Sequence, residues 1–95
     1  MIDDEHPLEY DKKVQKAKEL LENQYEFPCE YMFKFIVPKD QETEIRSMFP
    51  DSDVKIRPSK NGNYLSLTVS IEVSSSDLVL AIYEKASKIK GLIAL

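Results

Sequence analysis

The chain has little of what catalytic and covalently stapled folds are built from. Its 95 residues include two glycines, one cysteine and one histidine. A lone cysteine, Cys29, excludes an intramolecular disulfide framework. It also needs a neighbouring base or positive field to act as a nucleophile, and by strand parity it points inward with Tyr31 and Phe33, as a packed thiol does. A lone histidine, His6, cannot build a metal site. Asp3, Asp4 and Glu5 beside it make a carboxylate cluster short of the ligand count and rigidity of a metal centre, so no metal and no cofactor are expected. With so few glycines, a phosphate cradle of repeated glycines is also absent. Asn61-Gly62-Asn63 leads into a strand, not a helix, and reads as a hairpin turn. No apolar run reaches membrane length. Met1-Ile2-Asp3-Asp4-Glu5 is acidic where a signal peptide would be basic, so a cytoplasmic protein without a membrane partner is expected.

Charge is unevenly placed. The formal net charge is −4. Residues 1–30 hold nine acids and four lysines, net −5, and residues 31–95 hold eight acids and nine bases, net +1. The acidity belongs to the N-terminal part, and the rest is close to neutral. Ninety-five residues make one compact unit with a modest core, which favours function on a surface over a deep enclosed site.

The strongest pattern present is the run from Tyr64 to Val73. Leu65, Leu67, Val69, Ile71 and Val73 alternate with Tyr64, Ser66, Thr68, Ser70 and Glu72. This is a long strand with one buried and one polar face, entered through the Asn61-Gly62 hairpin. Tyr31–Val37 is a second strand, with Tyr31, Phe33, Phe35 and Val37 inward and Met32, Lys34 and Ile36 outward. Val54–Arg57 is a third, placed at an edge by Pro58, which cannot donate to a ladder. Leu92–Leu95 is a short fourth.

Helices fill the intervals. Tyr10 to about Asn23 carries Tyr10, Val14, Ala17, Leu20 and Leu21 on a narrow apolar stripe. Asp40 is placed to cap a short helix that runs to about Phe49 and buries Ile45, Met48 and Phe49. Ser74-Ser75-Ser76-Asp77 suggests a Ser-x-x-Asp capping box for a last helix, with Leu78, Ile82, Ala86 and Ile89 as its buried stripe, joined by Val79 and Ala81, and Gly91 as its stop. The order predicts an α+β, ferredoxin-like β-α-β-β-α-β sandwich, with a four-stranded antiparallel sheet in the order 4-1-3-2, preceded by an extra N-terminal helix. Residues 1–24 divide off as an acidic arm and amphipathic helix, and residues 25–95 as the ferredoxin-like domain.

In that arrangement Met32, Lys34, Ile36, Lys55, Arg57, Ser66 and Thr68 share the face away from the helices. An RNA-binding sheet needs exposed aromatics on its central strands for base stacking. Here Phe33 and Phe35 have buried parity and only Tyr64 points outward, which makes nucleic-acid binding the weakest reading. Acylphosphatase chemistry needs a glycine-rich loop with an arginine after the first strand. Val37-Pro38-Lys39-Asp40 supplies neither.

Phe27-Pro28-Cys29, Phe33–Val37, Ser59–Ser66, Ile82-Tyr83 and Leu92–Leu95, in that order and spacing, resemble the YbeD-like family of small bacterial proteins of uncharacterised function. The resemblance runs from about Phe27 to Leu95. That family is similar in fold to ACT regulatory domains, which bind amino acids and related metabolites. The resemblance implies a non-enzymatic regulatory or interaction module. Two modes follow. One is binding of a protein partner through the sheet face or the edge at Lys55 and Arg57. The other is an ACT-like sensor, a homodimer with a small-molecule ligand at Val37, Pro38, Lys39 and Asp40. The N-terminal helix, with its apolar stripe, is expected to pack on the open sheet face, in the same chain or in a partner.

Overall fold

The computed structural model describes the backbone from Leu8 to Leu95 and side chains from Lys12 onward. The expected loose arm, the cluster around His6 and the Tyr10 side chain lie outside the described residues.

Ten residues of strict alternation, Tyr64 to Val73, set the sheet. Strand β1 (Cys29–Pro38) lies at its centre, paired antiparallel with β3 (Tyr64–Val73) over ten residues, from Cys29 opposite Val73 to Pro38 opposite Tyr64. The short β2 (Lys55–Pro58) flanks β3, and β4 (Ile93–Ala94) flanks β1. The sheet order is β2-β3-β1-β4, which is the expected ferredoxin-like order read from the other edge.

Inward parity fills the core. Phe33, Phe35, Val37, Leu67 and Val69 are at most 1% exposed. Over them lie α2 (Glu42–Arg46), through Ile45 and the following Phe49, and α3 (Ser76–Ala86), through Val79 and Ala86. Aromatic rings tie the layer together. Tyr83 of α3 stands edge-on to Phe33 and Phe35, with centroids 5.3 and 5.9 Å away, and its hydroxyl lies 3.1 Å from that of Tyr31.

Three helix details differ from expectation. Asp40 caps nothing. It sits inside a single 3₁₀ turn, Lys39–Gln41, because Pro38 ends the strand and leaves no room for an extended capping residue before α2. At α3 the cap is Ser75, not Ser74, and its Oγ accepts from the Leu78 N–H at 3.2 Å. Of the expected stripe, Val79, Ile82, Ala86 and Ile89 pack on the core, joined by Tyr83, while Leu78, 38% exposed, and Ala81 face outward. Gly91 does adopt the left-handed backbone expected of a helix stop, at φ 78°. A side chain there would also strike Pro38, since a Cβ would lie 2.7 Å from its Cγ.

The largest correction concerns α1 (Leu8–Gln24). It does not lie on the open sheet face of its own chain. It rests against α3, on the helix side. Leu21 packs on the edge of the core, the buried Ser76 hydroxyl donates to Glu22 Oε2 at 2.8 Å, and Lys18 Nζ is 3.2 Å from Asp77 Oδ1. The reason is a polar one. Ser76 is 2% exposed, and a buried hydroxyl demands a partner, which the end of α1 supplies.

Candidate interaction surface

Because α1, α2 and α3 all sit on one side, no described element covers the other face of the sheet. Cross-strand register arranges that face in rows. Glu30 lies opposite Glu72. Met32 lies opposite Ser70. Lys34 lies opposite Thr68, which faces Lys55 on its other side. Ile36 lies opposite Ser66, which faces Arg57. Pro38 lies opposite Tyr64. Pairing of β4 adds Ile93 beside Ile36, and the Leu95 N–H donates to the Lys34 carbonyl at 2.9 Å, which sets Leu95 beside Lys34.

The rows divide the face lengthwise. Along β1 and β4 runs an apolar strip of Met32, Ile36, Ile93 and Leu95. Met32, Ile93 and Leu95 are 55%, 53% and 65% exposed. Along β2 and the middle of β1 runs a basic strip of Lys34, Lys55 and Arg57. Among the described residues none of these three forms an ion pair. Between the strips lies a shallow depression of about 440 Å³, bordered by Met32, Lys34, Lys55, Arg57, Ser66 and Thr68. At one end Glu30 and Glu72 oppose each other, a like-charge pair that weakens the sheet locally. At the other, Tyr64 is 46% exposed.

The structure thus brings together all seven residues expected on this surface. Two more belong with them, Ile93 and Leu95. Read alone, Leu92-Ile93-Ala94-Leu95 is apolar throughout, and its parity becomes legible only once β4 is paired with β1.

The residues of the expected ligand loop separate. Val37 is fully buried in the core and faces away from any ligand. Pro38, Lys39 and Asp40 border a depression of about 630 Å³ with Asn61, Gly62 and Asn63, held by a 3.0 Å bond from the Lys39 N–H to the Asn63 carbonyl. Gly62, at φ 80°, closes the β2–β3 hairpin, and the Tyr64 N–H donates to Ser59 Oγ at 3.1 Å. Cys29 packs against the core, as its parity implied. Among the described residues no group of three His, Cys, Asp or Glu side chains is placed to hold a metal ion, and no helix is long and apolar enough to cross a membrane.

Two helices packed on one face of an antiparallel sheet, with the other face bare, define a ferredoxin-like α+β domain that presents a surface. The chain belongs to the DUF493 family, described as "Protein of unknown function", which matches residues 22–95. It is also similar to the UPF0250 protein NE1487 of Nitrosomonas europaea, with 32% identity over 73 residues, covering 66% of this chain and 83% of that protein. Both findings agree with the YbeD-like resemblance of the sequence. No solved structure gives a significant match. The family match begins at Glu22, whose carboxylate reaches Ser76, so most of α1 lies outside it.

Proposed function

We propose that this protein is a non-catalytic, cytoplasmic regulatory or interaction module that binds another protein through the bare face of its sheet. The observation carrying this reading is the pairing of an apolar strip, exposed Met32, Ile93 and Leu95 with half-buried Ile36, with the cations Lys34, Lys55 and Arg57 on one surface. Exposed apolar side chains gathered in one place, with polar neighbours, mark protein contacts more often than scattered ones do. The face serves better than the edge. Strand β2 offers only four residues for strand addition and ends in Pro58, which has no N–H to donate.

Light scattering tests whether the face is free for a foreign partner. The reading expects the full chain at its monomer mass of 11.0 kDa. A dimer that dissociates on Met32→Asp with Ile93→Asp would mean that the face is taken by a second copy.

A metabolite-sensing role is a second reading, supported by the depression at Pro38, Lys39 and Asp40 beside the Asn61–Asn63 hairpin. It predicts a rise in unfolding temperature with millimolar amino acids or organic acids. No shift across such a panel counts against it.

A further inference from the structure

Resting on that reading, we propose that the partner segment is an acidic amphipathic helix, which lies along β1 with its apolar side on Met32, Ile36, Ile93 and Leu95 and its carboxylates over Lys34, Lys55 and Arg57. The dimensions suit a helix. Met32 and Ile36 are four residues apart on one strand, about 13 Å, and two turns of helix place apolar side chains at i and i+7 about 10.5 Å apart. The helices on the far side of the sheet already use this packing, so a helix on the near side completes a three-layer sandwich. Charge fixes the class and the direction. The cations lie beside the apolar strip in the rows of Lys34 and Ile36, while Glu30 and Glu72 close one end of the face and Asp53 stands near Met32 and Lys55. Carboxylates of the partner therefore belong over the middle rows and not over the Glu30–Glu72 end.

The segment is not this chain's own α1. That helix carries four acids and four lysines, so it has no net charge to offer, and its polar end is engaged with Ser76 and Asp77. An anionic membrane fits less well than a helix, because Glu30, Glu72 and Asp53 share the surface and would be repelled from it.

The test uses the full chain and a labelled 18-residue synthetic helix, with leucine at i, i+4, i+7 and i+11 and glutamate on both flanks. A second peptide replaces each glutamate with lysine. A third array holds vesicles of phosphatidylcholine with about one-third phosphatidylglycerol. The glutamate peptide is expected to bind at least about tenfold more tightly than the lysine peptide, to weaken with salt, and to shift the backbone amides of β1, β3 and β4. The double substitution Lys55→Glu with Arg57→Glu is expected to reverse the preference. Both side chains are exposed, so the unfolding temperature checks that the fold survives. Equal binding of the two peptides at the face, or no binding of either, overturns the acidic-helix inference and leaves the interaction-module reading in place. Vesicle binding without peptide binding also overturns the inference. Binding that shifts only α2 and α3 amides overturns both.

Discussion

Phe33 touches the rings of Tyr31, Phe35, Phe49 and Tyr83, with centroids 4.8 to 6.1 Å away. It is fully buried at the centre of the central strand. Phe33→Ala is expected to cost about 3–5 kcal/mol, which is a large part of the stability of a domain this size, and urea unfolding reads it directly. Tyr83 makes a different prediction. Burial pushes its phenol above the ordinary value of 10.0, and the bond with the Tyr31 hydroxyl adds to that. The folded chain therefore favours the neutral phenol. Its contribution is fully present below pH 10.0 and is lost as pH rises beyond it, because the unfolded chain ionises first. Unfolding temperature followed into alkaline pH is expected to fall more steeply for the native chain than for Tyr83→Phe. Parallel curves would mean that the phenol is not differentially buried. Strand parity made Phe33 legible as core from the sequence. Tyr83 was not, because its polar tip is satisfied by Tyr31, 52 positions away in sequence.

At the level of elements, the strands were legible and the helix docking was not. Alternation from Tyr64 to Val73 states which side is buried, and a one-residue error there would have exposed five apolar side chains. The apolar stripe of α1 states only that the helix must dock somewhere. Its docking site depends on Glu22 meeting Ser76, 54 positions away in sequence. That contact is testable. Ser76→Ala removes a charge-assisted hydrogen bond at a buried hydroxyl, so a loss of about 1–2 kcal/mol is expected, together with faster amide exchange confined to α1. Unchanged exchange in α1 would mean that Leu21 alone holds the helix. Residues 25–95, which contain the whole sheet, α2 and α3, are expected to fold without α1 at a lower unfolding temperature. A chain of those residues that fails to fold would show that α1 is integral to the domain. The Asp40 cap was misread for a related reason. Capping residues are recognised by type, but Pro38 had already fixed the backbone into a 3₁₀ turn.

For the whole molecule, the helices crowd one side and the sheet's other side carries two strips of opposite character. Seven of the face residues were readable from the alternation of β1, β2 and β3. The apolar strip was only half readable, because Ile93 and Leu95 acquire a side only through pairing with β1. The central claim is that this face, and not the helix layer, meets a foreign protein. Photo-cross-linking in the cell tests it most directly, with a photoreactive residue placed at Ser66 on the face or at Glu84 on α3, both exposed positions. The account predicts a discrete protein adduct from position 66 that disappears when Met32→Asp and Ile93→Asp are added, and no such adduct from position 84. An adduct from position 84 alone, or one from position 66 that survives those substitutions, would contradict it.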